Sequence, residues 1–385
     1  MVDGSSSLES PPQLTCQDDQ LRLSLVSGVG PMAWQALLEH FQSAGNVLRA
    51  SREALLQVPD IGPRVADAIL AVSRPVGHQA ADVVAQERAL SVQHGVQIGG
   101  QDSAAYPQML KTIPDPPCVL YVRGELLPRD NLAIAIVGTR HATSYGKRIA
   151  RQLAAALARS GFTIVSGLAR GIDGAAHLGA LDAKGRTLAV SAGSLCEVFP
   201  AEHQELAERI VGQGAMISES PLTSPPRRGA FPRRNRLISG LSLGVIVVEA
   251  PRQSGALITA QHAAEQGREV FAVPGPIDSR MSAGCHQLLR DGACLVERAE
   301  DVLEELGPLI AATSHADGQV VHHPAELQLN DQERQVLAHI TPQPVSVDKV
   351  AESSGVPIHR VLSTLSVLEM RHLIQRTGGS HVARR

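Results

Sequence analysis

The strongest constraint on the fold is an alternation of short apolar runs with helical stretches, which extends from Leu132 to about Gly307. Nearly every run is followed by Gly, Ser or Pro and then by an amphipathic stretch. Continuous apolar runs are typical of strands buried on both faces, and helical crossovers between them give a parallel sheet. The runs are residues 133–137, 162–166, 187–192, 215–218, 244–249, 270–273 and 293–296. The sequence therefore predicts an α/β fold with a doubly wound parallel sheet.

A helical module is predicted before the sheet, in residues 21–75. A Gly-Pro step occurs at Gly30-Pro31 and again at Gly62-Pro63, and a helical pattern follows each step. Gly relaxes a turn and Pro begins a helix, so the repeat indicates a helix-hairpin-helix or SAM-like module, whose helix N-termini can hold a DNA phosphate. A plain helical bundle with tight turns is the alternative.

A winged helix is predicted after the sheet, in residues 330–385. A capping box of Asn330 and Glu333 precedes helical stretches at 331–340, 346–354 and 358–373 and a hairpin signal at 374–382. Three short helices and a two-stranded wing make a winged helix-turn-helix, which contacts DNA in some proteins and protein partners in others. The remaining boundaries are a disordered N-terminus at 1–20, the sheet domain at 76–309 and a linker at 310–329.

Composition excludes several classes of protein. Lys and Arg number 35 against 38 Asp and Glu, a net charge of -3, so a nucleic-acid site must be a local basic patch. One Trp, three Tyr and five Phe leave few rings for base stacking. The five Cys form no C-x-x-C pair, and no apolar run reaches the length of a membrane span. We expect a cytoplasmic protein without a metal, a cofactor or a membrane anchor.

Candidate ligand-binding residues follow the predicted strands, because loops and helix N-termini meet at the carboxyl edge of a parallel sheet. Glycine turns, an arginine and Ser/Gly-rich helix starts suit an anion, whose oxygens bind backbone N–H groups and a guanidinium. These candidates are Gly138, Thr139, Arg140, Ser166, Gly167, Arg170, Gly171, Ser254, Gly255 and Thr259. The first turn is not a Walker A motif, because His141 stands where that motif needs Gly.

The sharpest local charge is a run of five arginines without an acid at residues 227–236. Arg clusters bind phosphates, and the Phe inside the run is a candidate to stack one base. The run leads into a predicted apolar helix at 237–243, and a solvated loop is the alternative. The DNA contacts predicted here are Phe231, Arg233, Arg234, Asn235 and Arg236.

Asp173 and His177 are four residues apart on a predicted helix and therefore share one face. They suit an acid/base pair in an enzyme. The alternative is structural, with Asp173 capping the helix and His177 packed below it. No activated nucleophile or hydrolase motif accompanies them.

These motifs together resemble the DNA-processing protein A family. The resemblance covers the helical module, the strand–turn block and the winged helix. The motifs are Val-Gly-Thr-Arg (137–140), Ser-Gly-Leu-Ala-Arg-Gly-Ile-Asp with Ala-Ala-His (166–177), Phe-Pro-x-Arg-Asn-Arg-Leu-Ile (231–238), Ser-Gly-Ala-Leu-Ile-Thr-Ala (254–260) and Arg-Glu-Val-Phe-Ala-Val-Pro-Gly (268–275).

The resemblance implies an extended Rossmann-like domain that binds and protects single-stranded DNA and forms a homodimer. It also implies a role in loading the recombinase RecA during natural transformation and recombination, without catalysis. Arg140 matches the family's main phosphate-binding arginine, and Arg234, Asn235 and Arg236 match its Arg-Asn-Arg signature. The family's partner surfaces correspond to residues around 285–291.

One segment departs from the family's pattern, at residues 192–203. A Gly-x-Gly-Leu-Asp run usually precedes an aromatic-Pro pair, whereas this chain has Ala-Gly-Ser-Leu-Cys (192–196) before Phe199-Pro200. Basic or Asn residues beyond the pair are replaced by Ala201, Glu202 and His203. We expect altered DNA contacts along this wall of the pocket.

Two other functions compete with DNA binding by the central domain. A nucleotide hydrolase that resembles lysine decarboxylases would carry a Pro-Gly-Gly-x-Gly-Thr loop and then a Glu on the helix. The comparable stretch here is 254–260, and the next carboxylate, Glu265, comes at least one turn too late. A winged-helix transcription factor would leave the central domain unexplained.

Overall fold

The computed structural model describes most of the chain between residues 14 and 384. The described residues are 14–73, 83–224, 229–306, 313–314, 320–321, 329, 331–341, 343–370, 373–378 and 381–384. Residues 1–13 of the predicted disordered N-terminus lie outside these ranges. For residues 14–20 the prediction of disorder is wrong, because Leu14 is buried and a helix begins at Asp18. No helix within them combines the length and apolarity needed to cross a membrane.

The N-terminal module consists of five short helices around the indole of Trp34, which is 2% exposed. Pro31 and Pro63 are the first residues of their helices, as the Gly-Pro steps predict. Gly28 adopts φ +93°, a left-handed conformation that lets the chain turn before the second helix. The helices are α1 (Asp18–Ser24), α2 (Pro31–Phe41), α3 (Ala44–Arg49), α4 (Arg52–Leu55) and α5 (Pro63–Ser73).

The described part of the central domain forms a nine-stranded sheet with the order β1-β2-β6-β5-β4-β3-β7-β8-β9. Strands β3 to β9 pair in parallel, which confirms the doubly wound prediction. The strands are β1 (Val96–Gly100), β2 (Val119–Gly124), β3 (Ala133–Val137), β4 (Thr163–Ser166), β5 (Thr187–Val190), β6 (Ala215–Ser218), β7 (Gly244–Val247), β8 (Glu269–Ala272) and β9 (Cys294–Leu295).

Two strands were not predicted, and they extend the sheet at one edge. β1 and β2 pair antiparallel with each other, and β2 pairs antiparallel with β6. Gln97 and the two glycines at the end of β1 interrupt its apolar pattern, so the strand resembles a loop in sequence. The sheet is therefore mixed, with an antiparallel extension on a parallel core.

Helices cover both faces of the sheet. Successive residues of β3 face opposite sides, so Ala135 belongs to one core cluster while Ile134 and Ile136 belong to the other. Helices α7, α11, α12 and α13 pack on the first side, and α8, α9 and α14 pack on the second. The helices of this domain are α6 (Val83–His94), α7 (Gln108–Lys111), α8 (Ser144–Arg159), α9 (Ile172–Asp182), α10 (Gln204–Gln213), α11 (Ala230–Gly240), α12 (Gly255–Glu265), α13 (Ala283–Arg290) and α14 (Ala299–Leu306).

The C-terminal residues form the predicted winged helix, although the proposed cap Asn330 and the hairpin turn lie outside the described residues. Its short strands pair in the order β12-β14-β13. In the predicted linker, two residue pairs form a small antiparallel ladder, β10 (Thr313–Ser314) with β11 (Val320–Val321). The other elements are α15 (Asp331–Leu337), β12 (Val345–Ser346), α16 (Val347–Ser354), α17 (Ile358–Met370), β13 (Ile374–Gly378) and β14 (His381–Arg384).

The order of the parallel strands locates the functional crevice. The chain builds β4, β5 and β6 on one side of β3, and then crosses to the other side for β7, β8 and β9. At such a point, the helices that follow the two adjacent strands lie on opposite faces of the sheet and diverge. The carboxyl ends of these two strands therefore face the opening between the helices. The switch point lies between β3 and β7.

A buried ion pair joins the turn before β3 to β5. Arg186 and Asp130 are 8% and 9% exposed, and the Arg186 Nε to Asp130 Oδ1 distance is 2.5 Å. The same carboxylate accepts from the hydroxyl of Thr163 at 2.9 Å and the backbone N–H of Leu127 at 2.8 Å. Arg186 also donates to the carbonyl of Glu125. These contacts fix the amino-terminal edge of the sheet.

We expect Asp130→Asn to lower the free energy of unfolding by about 3–5 kcal/mol, because the buried guanidinium of Arg186 then lacks its counter-charge. Urea denaturation followed by circular dichroism measures the difference. Asp67→Asn is the matched control, because it breaks the exposed pair with Arg52 and should change stability little. Equal losses in both variants would contradict a special role for the buried pair.

Candidate nucleic-acid interface

A cavity of about 590 Å³ opens at the switch point, and we call it the sheet-edge pocket. Its walls come from the loop after β3, the start of α11 and the start of α12, with Ala169 from the loop between β4 and α9 and Asp173 from the start of α9. The structure brings together here many of the predicted site residues: Gly138, Thr139, Arg140, Phe231, Arg234, Asn235, Ser254, Gly255 and Thr259. Loops that are far apart in sequence thus form one site, as the parallel sheet predicts.

The loop after β3 is held in place by Glu249, which follows β7 and is 5% exposed. Its carboxylate accepts the backbone N–H of Thr143 at 2.9 Å and the hydroxyl of the same residue at 2.5 Å. Its own carbonyl accepts the N–H of Thr139 at 2.7 Å. A Cβ on Gly146 would collide with this carboxylate, so only glycine fits there. The loop geometry therefore depends on a residue of the neighbouring strand.

Arg140 is the exposed cation of the pocket. Its guanidinium lies 5.0 Å from the ring centroid of Phe231, which in turn makes an edge-to-face contact of 5.7 Å with Phe199. Within the described residues, no carboxylate forms an ion pair with Arg140. A guanidinium that rests on a ring keeps its N–H edge directed outward, where a phosphate can bind two of them.

The opposite wall is polar backbone and short side chains. Ser254 caps α12, with its hydroxyl accepting the N–H of Ala256 at 3.3 Å. Asn235 donates from Nδ2 to the carbonyl of Gly255 at 3.1 Å and so joins α11 to α12. Thr259 is buried one turn further along α12. The positive end of α12 therefore faces the same cavity as Arg140.

Arg234, a predicted DNA contact, lines the pocket but is mostly buried. It is 5% exposed, and its Nη1 donates to the carbonyl of Gly167 at 2.6 Å and to that of Val190. Burial lowers the pKa of its guanidinium to about 10, an effect that the nearby Asp173 opposes. Arg234 thus cross-links α11 to the ends of β4 and β5 and reaches the pocket from below.

Arg233 and Arg236 do not line the sheet-edge pocket, contrary to the prediction that they contact DNA there. Arg236 is buried between two carboxylates, with an Nε to Asp115 Oδ2 distance of 3.0 Å and a second pair to Glu219. Arg233 pairs with Glu219 at 3.0 Å. The predicted loop is in fact the first half of α11, and helical periodicity turns these side chains away from the pocket. Residues 227 and 228 lie outside the described residues.

The segment between β4 and α9 contributes Ala169 to the lining of the pocket and otherwise supports the pocket from outside. Ser166 is fully buried and donates to the carbonyl of Ile136 at 2.6 Å. Gly171 adopts φ +79°, and a Cβ there would collide with the carbonyl of Thr139. Arg170 points to the opposite side of this loop and pairs with Glu202 at 2.6 Å. The predicted contacts Ser166, Gly167, Arg170 and Gly171 thus lie outside the sheet-edge pocket.

The structural alternative holds for His177, which is packed in the core, whereas Asp173 does not cap α9, because the N-cap residue is Gly171 and no side chain caps the helix there. The carboxylate of Asp173 accepts the N–H groups of Gly167 at 3.1 Å and Ala169 at 3.4 Å, and burial raises its pKa. His177 is fully buried, with Nδ1 2.7 Å from the hydroxyl of Thr187. Burial lowers its pKa to about 3, so the ring is neutral at pH 7. The His177 side chain has no exposed surface that a substrate could contact.

The sequence alone did not identify Glu249, Phe199 or Gln253. Gln253 lines the pocket, and the other two contact residues that line it. Glu249 ends an apolar run, and a carboxylate at the end of a predicted buried strand could have identified it as a site residue. Phe199, 53% exposed, belongs to the segment that departs from the family's pattern, and its contact with Phe231 is visible only in three dimensions. Gln253 lines the pocket from the loop before α12.

Glu265, the carboxylate considered for a nucleotide hydrolase, and one cluster of possible metal ligands lie away from the pocket. Glu265 is the last residue of α12, ten residues and about 15 Å from Gly255 along the helix axis. The ligand atoms of Glu269, Cys294 and Glu305 lie within 4.8 Å of one another, away from the pocket. Burial and the two carboxylates raise the pKa of the Cys294 thiol.

Comparisons with known proteins agree with this architecture. The profile of the family described as DNA recombination-mediator protein A matches residues 97–307. A DprA winged helix domain matches residues 321–380, and a helix-hairpin-helix motif matches residues 24–81. The three matches correspond to the central, C-terminal and N-terminal modules.

Individual relatives extend the match along the whole chain. Protein Smf of Synechocystis is 35% identical over 403 residues, which cover 95% of this chain and 98% of the relative. DNA processing protein A from Streptococcus pneumoniae has a similar structure, with a TM-score of 0.65 and 31% identity over 76% of this chain and 99% of that one.

A second similar structure is DNA processing protein A from Helicobacter pylori, which is described for its single-stranded DNA binding mode. Its TM-score is 0.50 at 32% identity, over 55% of this chain and 95% of that one. The family profile covers more than half of the chain, and the Synechocystis relative aligns along nearly all of it. The chain therefore belongs to the DNA recombination-mediator protein A family.

Proposed function

We propose that the chain binds and protects single-stranded DNA in the sheet-edge pocket, and that it helps to load RecA onto the strand during natural transformation and recombination. The observation that carries the DNA-binding part is Arg140, an exposed arginine held on Phe231 at the switch point without an ion-pair partner in the described residues. The similarity to the Helicobacter pylori protein, with its single-stranded DNA binding mode, supports the choice of single-stranded DNA.

The chemistry of the pocket favours the DNA backbone over the bases. Arg140, the N–H groups of the loop after β3 and the positive end of α12 are all suited to phosphate oxygens. Phe231 and Phe199 offer ring surface for one or two bases, and every base has a face that stacks. The proposed binding therefore has little sequence preference.

Assembly with other proteins rests on family membership. A homodimer and a RecA contact are proposed for the surface around residues 285–291, which includes the end of α13. The winged helix is proposed to contact either DNA or a protein partner. No catalytic step is part of this proposal, because Asp173 and His177 have structural partners and Glu265 lies at the far end of α12.

We expect Arg140→Ala to weaken binding to a short oligothymidylate by about 1.5–3 kcal/mol, the scale of a hydrogen bond to a charged group. Fluorescence anisotropy at fixed salt measures this change. Arg159→Ala is the matched control, because Arg159 is an exposed arginine at the far end of α8 and does not line the sheet-edge pocket. Unchanged affinity in the Arg140 variant would remove Arg140 from the site.

The salt dependence separates phosphate contacts from other effects of the same substitution. Each neutralised phosphate contributes about 0.7 to the slope of log affinity against log salt on single strands. We expect Arg140→Ala to reduce the slope by about that amount. A slope equal to that of the unmodified protein would mean that Arg140 contacts no phosphate, even if the affinity falls.

Incubation with each of the common nucleoside monophosphates tests the competing hydrolase. We expect no released base above the spontaneous background, because no carboxylate follows the start of α12 within two turns. Chromatographic detection of free base over several hours decides the point. Release that disappears in a Glu265→Gln variant would support the enzyme instead.

A further inference from the structure

A second cavity lies beside the sheet-edge pocket, next to the face of the sheet that α8 and α9 cover. It has a volume of about 870 Å³ and runs between α8, α9 and α10, so we call it the α8–α10 groove. Arg140 lines both cavities and therefore marks their junction. The other cations of the groove are Lys147, Arg148, Arg151, Arg170 and Arg209.

The groove is positive although the chain as a whole carries a net charge of -3. The carboxylates that line it are Glu202 and Glu205. Asp182 lies nearby, where its Oδ2 accepts from Arg151 Nε at 2.6 Å and its Oδ1 is 3.8 Å from Arg209 Nη2. Within the described residues, no ion pair involves Lys147 or Arg148. Cations therefore exceed acids on this surface.

Two of these cations lie close to the N-terminus of a helix. Lys147 and Arg148 are in the first two turns of α8, and the first turn of this helix contains no acidic residue. Positive side chains near a helix N-terminus are repelled by the helix dipole, whereas acids are stabilised there. Both side chains are exposed. Arg148 lies 5.5 Å from the centroid of the Tyr145 ring, and neither Lys147 nor Arg148 has an ion pair in the described residues. An external anion would complement these two charges.

We propose that the α8–α10 groove binds the next segment of the same single strand, through its phosphodiester backbone. The strand leaves the sheet-edge pocket at Arg140 and continues over the start of α8 towards Arg209 on α10. This inference rests on the proposed function. It also gives Arg170, which does not line the sheet-edge pocket, a place on the DNA path.

Glu202 limits the charge of this path. It belongs to the segment that departs from the family's pattern, and it binds Arg170 through two contacts of 2.7 and 2.6 Å. Both side chains are more than half exposed, so the pair is weak and a phosphate can replace the carboxylate. Glu202 thus competes with DNA for one arginine of the groove.

The test compares oligothymidylates from roughly 4 to 20 nucleotides, a range that spans the site sizes of single-strand binding folds. The full chain is used, with anisotropy as the readout. We expect affinity to rise with length until the strand fills both cavities. In Lys147→Gln/Arg148→Gln/Arg209→Gln, we expect the short oligomer to bind within about twofold of the unmodified protein, while the long one loses about tenfold and about 2 from its log–log salt slope.

Two further variants make the result specific. Arg159→Gln removes a positive charge from the same helix outside the groove, and it should leave the length dependence intact. Glu202→Gln frees Arg170, and it should raise the affinity for the long oligomer by roughly two- to fivefold without changing the short one. Misfolding would lower the affinity for DNA, so it cannot explain the gain in affinity that is expected for this variant.

The outcomes separate this inference from the proposed function. If the unmodified protein does not bind the short oligomer, the proposed function fails. If it binds short and long oligomers equally well, or if the triple variant loses equal affinity for both, the groove does not carry the strand. A Glu202→Gln variant that binds the long oligomer no better than the unmodified protein contradicts the role given to Arg170.

Discussion

The candidate site depends on one buried carboxylate, Glu249. It follows β7, yet its hydrogen bonds hold the loop after β3, so the two central strands of the sheet are joined at the point where the crevice opens. Desolvating a carboxylate is costly, and the backbone and hydroxyl donors of Thr143 offset that cost. Because the loop is fixed from beneath, Arg140 and the amides around it have a defined position at the surface.

The parallel sheet could be predicted because its strands are buried on both faces and appear in the sequence as continuous apolar runs. The antiparallel extension could not, since β1 contains a polar residue and ends in two glycines. The positions of the site loops followed from topology alone. The partners of the arginines did not, because Asp115 and Glu219 come from distant segments and a single sequence does not show which carboxylate meets which guanidinium.

The arginines of the motif thus divide by environment rather than by sequence. Arg234 and Arg236 are adjacent to Asn235 in a basic run, but they stabilise the junction of α11 with the sheet and with the loop before β2. The exposed positive surface comes instead from α8, the loop before α9, and α10, which contribute Lys147, Arg148, Arg151, Arg170 and Arg209. The net charge of the whole chain therefore does not indicate the local charge, either in the sheet-edge pocket or on the surface around it.

The contact between Arg140 and Phe231 has a consequence for the entropy of binding. An arginine side chain on an open surface samples many rotamers, and a ligand must reduce them to one. Here the ring already restricts the guanidinium before any phosphate arrives, so less conformational freedom is lost when the complex forms. A base that stacks on Phe231 would compete with Arg140 for the same face of the ring. Stacking of a nucleotide's base would therefore increase the conformational freedom of the arginine that binds its phosphate.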